Sequence, residues 1–347
     1  MMQQETRQLF AVQGAKGVQV LRETMPPCDD NHVVVATDFT MVSPGTEMHY
    51  IRQACETGET LQLGYCAVGT VLHKGAHIDH VEEGDRVIAM GWREAIHSDY
   101  LVMPRRLVCR IAGDLPGELA ILATLAATVI HAGDRSRLTN RDRVLILGLG
   151  GLGMLMALMA TDAGAEVCIW DLQAERMRQC AAWPDFDPVQ SQPGSRGRFT
   201  RIYFCGDGDV SDQIGGFFDL LDPDGNGQDR SMLVNLGRLS GQIGFSPASG
   251  NFDLVNVSRC GAGYRDDRYH AGLADVVPLP GEARVDDNLA RALALINRQR
   301  QLAATLPRTV FSPRQALALY RGEAAFPVGF SLIRHGDRGE GLGLDGH

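Results

Sequence analysis

An α/β chain of two domains, a small β-barrel followed by a doubly wound parallel sheet, is predicted by three features of the sequence. Short β-like runs crowd residues 10 to 120, and strand and helix patterns alternate from residue 126 onward. Between them ELAILATLAATVIHAG carries an apolar helical period and marks a boundary near residue 125. At 347 residues, 44% hydrophobic and 22% charged, the chain is long enough for two cores and ordinary for a soluble globular protein. A net charge of -9 argues against nonspecific attraction to nucleic acid or an anionic membrane, which needs clustered Lys and Arg.

The barrel strands are VQVL, HVVVATDF, AVGTVL, DRVIAM and DYLVM, with turn signals such as EEGDR between them. In the second domain Val144 to Leu147 form a strand, a glycine turn and a helix follow, and AEVCIWD is the next strand. After Asp171 the pattern predicts a helix ending before Pro184 and Pro188, a strand at RIYFC, a helix around Asp212 to Leu221 and a strand at GQIGFS. The strand-like VSRCGAGYR then precedes a helix at DDNLARALALINRQR, a helix at SPRQALALYRG and a strand at VGFSLIR. The expected division is 1–125, completed by about 267–335, and 126–266, with 336–347 a disordered tail.

The terminus MMQQETRQLF has no basic region leading into an apolar core, so a cytoplasmic protein without membrane insertion is expected. Val144 to Thr161 is uncharged over 18 residues, yet its glycines and the strand that follows argue against a membrane span. The eight cysteines include no CxxC pair, which fits reduced thiols. DPDGNG, from Asp222, matches the start of a calcium loop, but Leu233 stands where the bidentate glutamate belongs, so an ordinary loop is expected.

GLGGLG places Gly148 at a tight turn, Gly150 where backbone must approach a pyrophosphate, and Gly153 where helix meets strand. The helix that begins there points unpaired amides and the positive end of its dipole at the phosphates. Asp171 lies 21 residues beyond Gly150, where a carboxylate accepts hydrogen bonds from the adenosine ribose and repels a 2'-phosphate. Strand, turn, helix, strand and acid in this order indicate a Rossmann dinucleotide site that favours NAD(H) over NADP(H). Gly151, Leu152 and Thr128 complete the expected cofactor-binding set.

VVVATDFTMVSPGTEMHY, LGYCAVGTV, VEEGDRV and LATLAATVIHAGDR resemble segments of the medium-chain dehydrogenase/reductase superfamily, in an order that spans nearly the whole chain. The resemblance implies a GroES-like β-barrel catalytic domain, a Rossmann domain, a small-molecule substrate in the interdomain cleft and a homodimer. In zinc-dependent members the loop reads Cys-Gly-Thr-Asp, whereas here Pro44, Gly45, Thr46 and Glu47 occupy it. Gly-His-Glu becomes Gly64, Tyr65, Cys66, and Thr124 is the nearest match to the third ligand. The tetrahedral N/S set cannot be assembled from those positions, so no metal is expected; Cys66 with His49 and Glu47 is a weaker alternative set.

Thr46 and His49 match the positions at which the family relays a proton between substrate oxygen, cofactor ribose and solvent. Tyr65, where the ligand histidine would stand, is the candidate donor to a developing alkoxide. Glu47 is expected to orient His49 or to pair with an arginine, or to be merely solvated. His131 is expected to be a satisfied core histidine, and His73, His77 and His80 fall in a polar turn.

These readings describe an NAD(H)-dependent, zinc-independent oxidoreductase of secondary alcohols and ketones. GTE, Gly-Tyr, LAAT-IHA and IYFCGDGD look most like bacteriochlorophyllide 3-hydroxyethyl dehydrogenases, although Cys66 and the ending FSLIRH depart from that pattern. The alternatives are an NADPH-dependent enone or quinone reductase, a dehydrogenase of another bulky or sugar-like biosynthetic alcohol, and a non-catalytic NAD(H)-binding protein.

Overall fold

A computed structural model describes residues 6–186, 197–212, 214–242 and 250–335. The tail at 336–347 and most of GQIGFS lie outside the described residues. The chain divides into two compact units, Met1–Ile121 with His270–Gly272 and Arg308–His347, and Leu122–Tyr269 with Leu273–Pro307.

The first unit is built around the strand His32–Val42, whose β-branched run HVVVATDFTMV suits a pleated, half-buried surface. It pairs antiparallel with Cys66–Lys74, Tyr100–Pro104 and Phe330–Arg334. Register shifts at Val34/Val35 and Thr37/Phe39 mark bulges that bend it, as a barrel wall requires. Thr6–Gln13, Val18–Thr24 and Thr60–Gln62 form a three-stranded sheet beside it. Phe10, Val12, Val18, Val42, Ile51, Leu63 and Tyr320 share one core, each large apolar side chain contributing about 1.5–3 kcal/mol by leaving water. The helix Pro44–Thr57 carries Ile51 and Ala54 into that core, starts with proline in its first turn and stops at Gly58 in a left-handed conformation (φ 79°).

The second unit is a five-stranded parallel sheet in the order Glu166–Trp170, Arg143–Leu147, Arg201–Phe204, Ser231–Asn235, Phe252–Asn256. Two sequence expectations need correcting here. The helices Val285–Arg298 and Arg300–Thr305 belong to this unit and not to the barrel, because the apolar face of Val285–Arg298 packs on the helix Leu122–Ser136. The chain rejoins the barrel unit at Arg308. The last parallel strand is Phe252–Asn256 and not VSRCGAGYR, where positive φ at Arg259, Gly261 and Gly263 interrupts extended backbone. Asp222 and Asn226 of DPDGNG hold a turn: Asp222 accepts from Arg143 and from the Asp224 amide, and Asn226 from the amides of Gln228 and Asp229.

His131 is buried with Nε2 4.0 Å from Glu282, but its Nδ1 has no hydrogen-bond partner among the described residues, so it is not the satisfied histidine expected. Burial lowers its pKa. No cysteine forms a disulfide, and among the described residues no helix is long and apolar enough to cross a membrane.

Candidate functional site

In the parallel-sheet unit, Arg143–Leu147 runs into the turn and the helix Gly151–Asp162 leaves it. Gly148 has φ 94°, a conformation that suits glycine. Gly153 is packed so tightly that a Cβ would lie 1.8 Å from the Gly148 carbonyl oxygen. Gly150 caps the helix in an extended conformation without a side-chain cap, and a Cβ there would meet nothing within 4 Å. Its open face, together with the first-turn amides of Gly151 and Leu152 that have no carbonyl inside the helix to bond, fits the approach of a pyrophosphate.

Asp171 joins this turn. Its Oδ2 accepts from the Leu149 amide at 2.6 Å and from Arg176 at 3.2 Å, and its Oδ1 accepts from the Gln173 amide at 2.8 Å. An ionised carboxylate oxygen accepts about two bonds, so Oδ1 keeps capacity for one ribose hydroxyl. A cavity of 870 Å³ lined by Trp170, Leu172, Met177 and Trp183 adjoins Asp171. Thr128 is the one residue from Leu122 to Gly133 that is not buried.

In the barrel unit, Thr46 and His49 stand three apart on the helix Pro44–Thr57 and therefore share a face. Thr46 is half-buried, and His49 is exposed with its ring 5.3 Å from that of Tyr50. Tyr65 is half-buried, with its hydroxyl within hydrogen-bonding reach of the Ser43 and Thr46 side chains. Burial above all, then the neighbouring Cys66 and Glu47, holds its pKa well above the usual phenol value, so it stays protonated. The Tyr65 ring lies 6.0 Å from Trp92, which is 4.7 Å from Tyr50, forming a half-buried aromatic surface.

Glu47 overturns its expectation. It neither orients His49 nor meets an arginine, because residues two apart on a helix point in different directions. Its side chain is wholly buried and accepts from the Ser43 amide at 2.7 Å and Tyr320 Oη at 2.5 Å, with Nε2 of buried His97 at 2.9 Å. Among the described residues Cys66, His49 and Glu47 do not gather as ligands for one metal ion. Pro44 and Tyr65 supply no metal donor of the kind zinc takes, so these positions do not fit that ion.

His97 and Tyr320 escape sequence reasoning because each lies far along the chain from Glu47, outside the motifs. A buried acid that needs partners was the available signal. Gly64 also gains a structural reason: it has φ 101°, and a Cβ there would stand 2.5 Å from the His97 amide nitrogen.

No family model matches the chain. It is 25% identical over 196 residues to a sorbitol dehydrogenase of Bombyx mori, covering 47% of this chain and 56% of that protein. It is 30% identical over 107 residues to the highly reducing polyketide synthase Preu5 of Preussia isomera, covering 30% of this chain and 4% of that protein. The chain thus spans less than two thirds of the curated relatives it matches. Among solved structures it superposes on a protein described as a zinc-binding dehydrogenase of Sinorhizobium meliloti 1021 bound to NADP, with a TM-score of 0.73, 17% identity, and 95% of this chain and 100% of that one covered. For the 2R,3R-butanediol dehydrogenase of Bacillus subtilis the TM-score is 0.72 at 14% identity, covering 94% and 99%. These likenesses establish the fold that the chain shares with those dehydrogenases, α/β with a GroES-like barrel and a Rossmann sheet.

Proposed function

We propose that this protein is a zinc-independent oxidoreductase that uses NAD(H) to interconvert a secondary alcohol and a ketone. The observation that carries the reading is the Tyr65 hydroxyl on a half-buried ring, within hydrogen-bonding reach of the Ser43 and Thr46 side chains. Bound NAD(H) would supply a hydride donor or acceptor, held by Gly148, Gly150, Gly151, Leu152 and Gly153 at the pyrophosphate and by Asp171 at the ribose. Thr128 is assigned to the same cofactor.

Tyr65 donates a hydrogen bond to the oxygen that gains negative charge, the role a metal fills in zinc-dependent relatives. Thr46 positions that oxygen by a second hydrogen bond. His49, exposed one turn along the same face, exchanges the proton with water. The Tyr50, Trp92 and Tyr65 rings favour a flat conjugated substrate, which supports the 3-hydroxyethyl group of a bacteriochlorophyllide over a small polyol. A cytoplasmic homodimer completes the reading, and a light-scattering mass of one chain would remove its last part.

The test is titration of metal-analysed protein with NADH and with NADPH by fluorescence, with and without a bacteriochlorophyllide carrying a hydroxyethyl group. Tighter NADH binding, a further quench on adding pigment and turnover without zinc are expected. Preference for NADPH would favour the enone or quinone reductase, and NADH binding with no response to pigment would return the substrate to another bulky alcohol. Zinc-dependent turnover would overturn the reading.

A further inference from the structure

Behind Tyr65 a line of polar side chains crosses the interior of the barrel unit, and the chemistry above uses none of it. Glu47 Oε2 lies 2.9 Å from His97 Nε2, His97 Nδ1 lies 2.8 Å from Thr40 Oγ1, and Thr40 Oγ1 lies 2.8 Å from His335 Nε2. Glu47, His97 and Thr40 are wholly buried, whereas His335, past the end of the strand Phe330–Arg334, is partly exposed. Tyr320 Oη reaches both Glu47 and His97, at 2.5 Å and 2.9 Å. Both ring nitrogens of His97 are therefore engaged.

We propose that Glu47, His97, Thr40 and His335 form a proton-conducting line by which solvent at His335 sets the charge behind Tyr65. The hydroxyl of Thr40 is the switch, since it can donate to one imidazole while accepting from the other. With His97 neutral, His335 Nε2–H donates to Thr40 and Thr40 donates to His97 Nδ1. When water delivers a proton to His335 Nδ1, the Nε2–H bond breaks and its proton joins Thr40 Oγ1. The former Thr40 proton passes to His97 Nδ1. His335 ends neutral as the other tautomer, one proton has moved inward, and the new imidazolium faces the Glu47 carboxylate. The reverse order of the same bonds returns it.

The consequence falls on Tyr65, and this part rests on the role proposed for Tyr65 above. With His97 neutral, the uncompensated Glu47 charge holds the Tyr65 proton more tightly, and with His97 protonated the pair is neutral and releases that hold. His97 and Tyr320 thus act as positioning residues. The titratable groups around His97 are Glu47 and Tyr320, with His335 beyond Thr40 and Tyr65 beyond Glu47. Desolvation and then the neighbouring His97 lower the His335 pKa to about 3, so at neutral pH His335 rests as the neutral ring that starts this sequence.

Exchange of the His97 ring protons with water tests this on the full, ligand-free chain, by NMR of histidine labelled with nitrogen-15; His97→Gln identifies the resonance. Thr40→Val, which keeps shape and removes the hydroxyl, is expected to slow that exchange about tenfold or more, because it must then wait for local opening. His335→Gln, at a partly exposed position, is expected to slow it likewise, and Thr40→Ser to restore it. Unchanged exchange in Thr40→Val and His335→Gln would overturn the proposal. The measurement needs no substrate, so failure to find alcohol turnover would leave its outcome standing.

Discussion

Replacing Glu47 by leucine removes the acceptor on which three donors converge, the part-buried Ser43 amide and the buried Tyr320 Oη and His97 Nε2. Each donor left unmade in a dry site costs about 1–3 kcal/mol. Three such donors together bring the expected cost to several kcal/mol. A loss near 4 kcal/mol is a large share of a total stability of about 5–15 kcal/mol. At roughly 2–4 °C per kcal/mol for a unit of this size, the melting temperature should fall by about 10 °C. The assay is thermal unfolding at pH 7 of Glu47→Leu beside the triple variant Glu47→Leu, His97→Leu, Tyr320→Phe. With Glu47, His97 and Tyr320 all made apolar, and the Ser43 amide and the Thr40 hydroxyl the polar groups that lose a partner, the triple variant should recover part of the loss, since apolar replacement of both sides of a buried pair is often close to neutral. A fall below about 2 °C for the single change, or costs that simply add across the three positions, would refute the converging bonds.

Gly64→Ala should lower stability by about 1–3 kcal/mol through backbone strain and its contact with the His97 amide, seen as a lower melting temperature, and a neutral result would contradict that packing. Gly150→Ala and Gly153→Ala should separate binding from folding. The first has open space and should keep its melting temperature while weakening NADH binding about tenfold or more, and the second should destabilise the parallel-sheet unit outright. His335 has a folded pKa of about 3 against an ordinary 6.5, so the unfolded chain binds the extra proton between these values. Its contribution is present above pH 6.5 and lost as pH falls toward 3. His335→Gln should therefore flatten the acid side of the melting-temperature profile, and an unchanged slope there would count against the lowered pKa of this half-buried ring.

The Rossmann half was legible because its determinants are local. A strand, a glycine turn, a helix and an acid lie within the run from Arg143 to Asp171, and the steric demands at Gly148 and Gly153 are visible in their spacing. The barrel strands were legible for a similar reason, as β-branched runs between turns. Glu47 was read as a possible partner of His49 because sequence proximity was the available guide, and helix geometry points the two apart. Its actual partners, His97 and Tyr320, arrive from 50 and 273 residues away.

The same distance explains the misplaced helices. The apolar period of Val285–Arg298 announced a buried face but not the surface that buries it, and tertiary packing assigned that face to Leu122–Ser136. Residue identity at short spacing was enough for the two fold types, the place of the glycine turn, and Pro44 and Tyr65 in place of zinc-ligand types. Only the tertiary structure decided the line from Glu47 through His97 and Thr40 to His335, because hydrogen bonds between side chains far apart in sequence exist only once the barrel has closed around them.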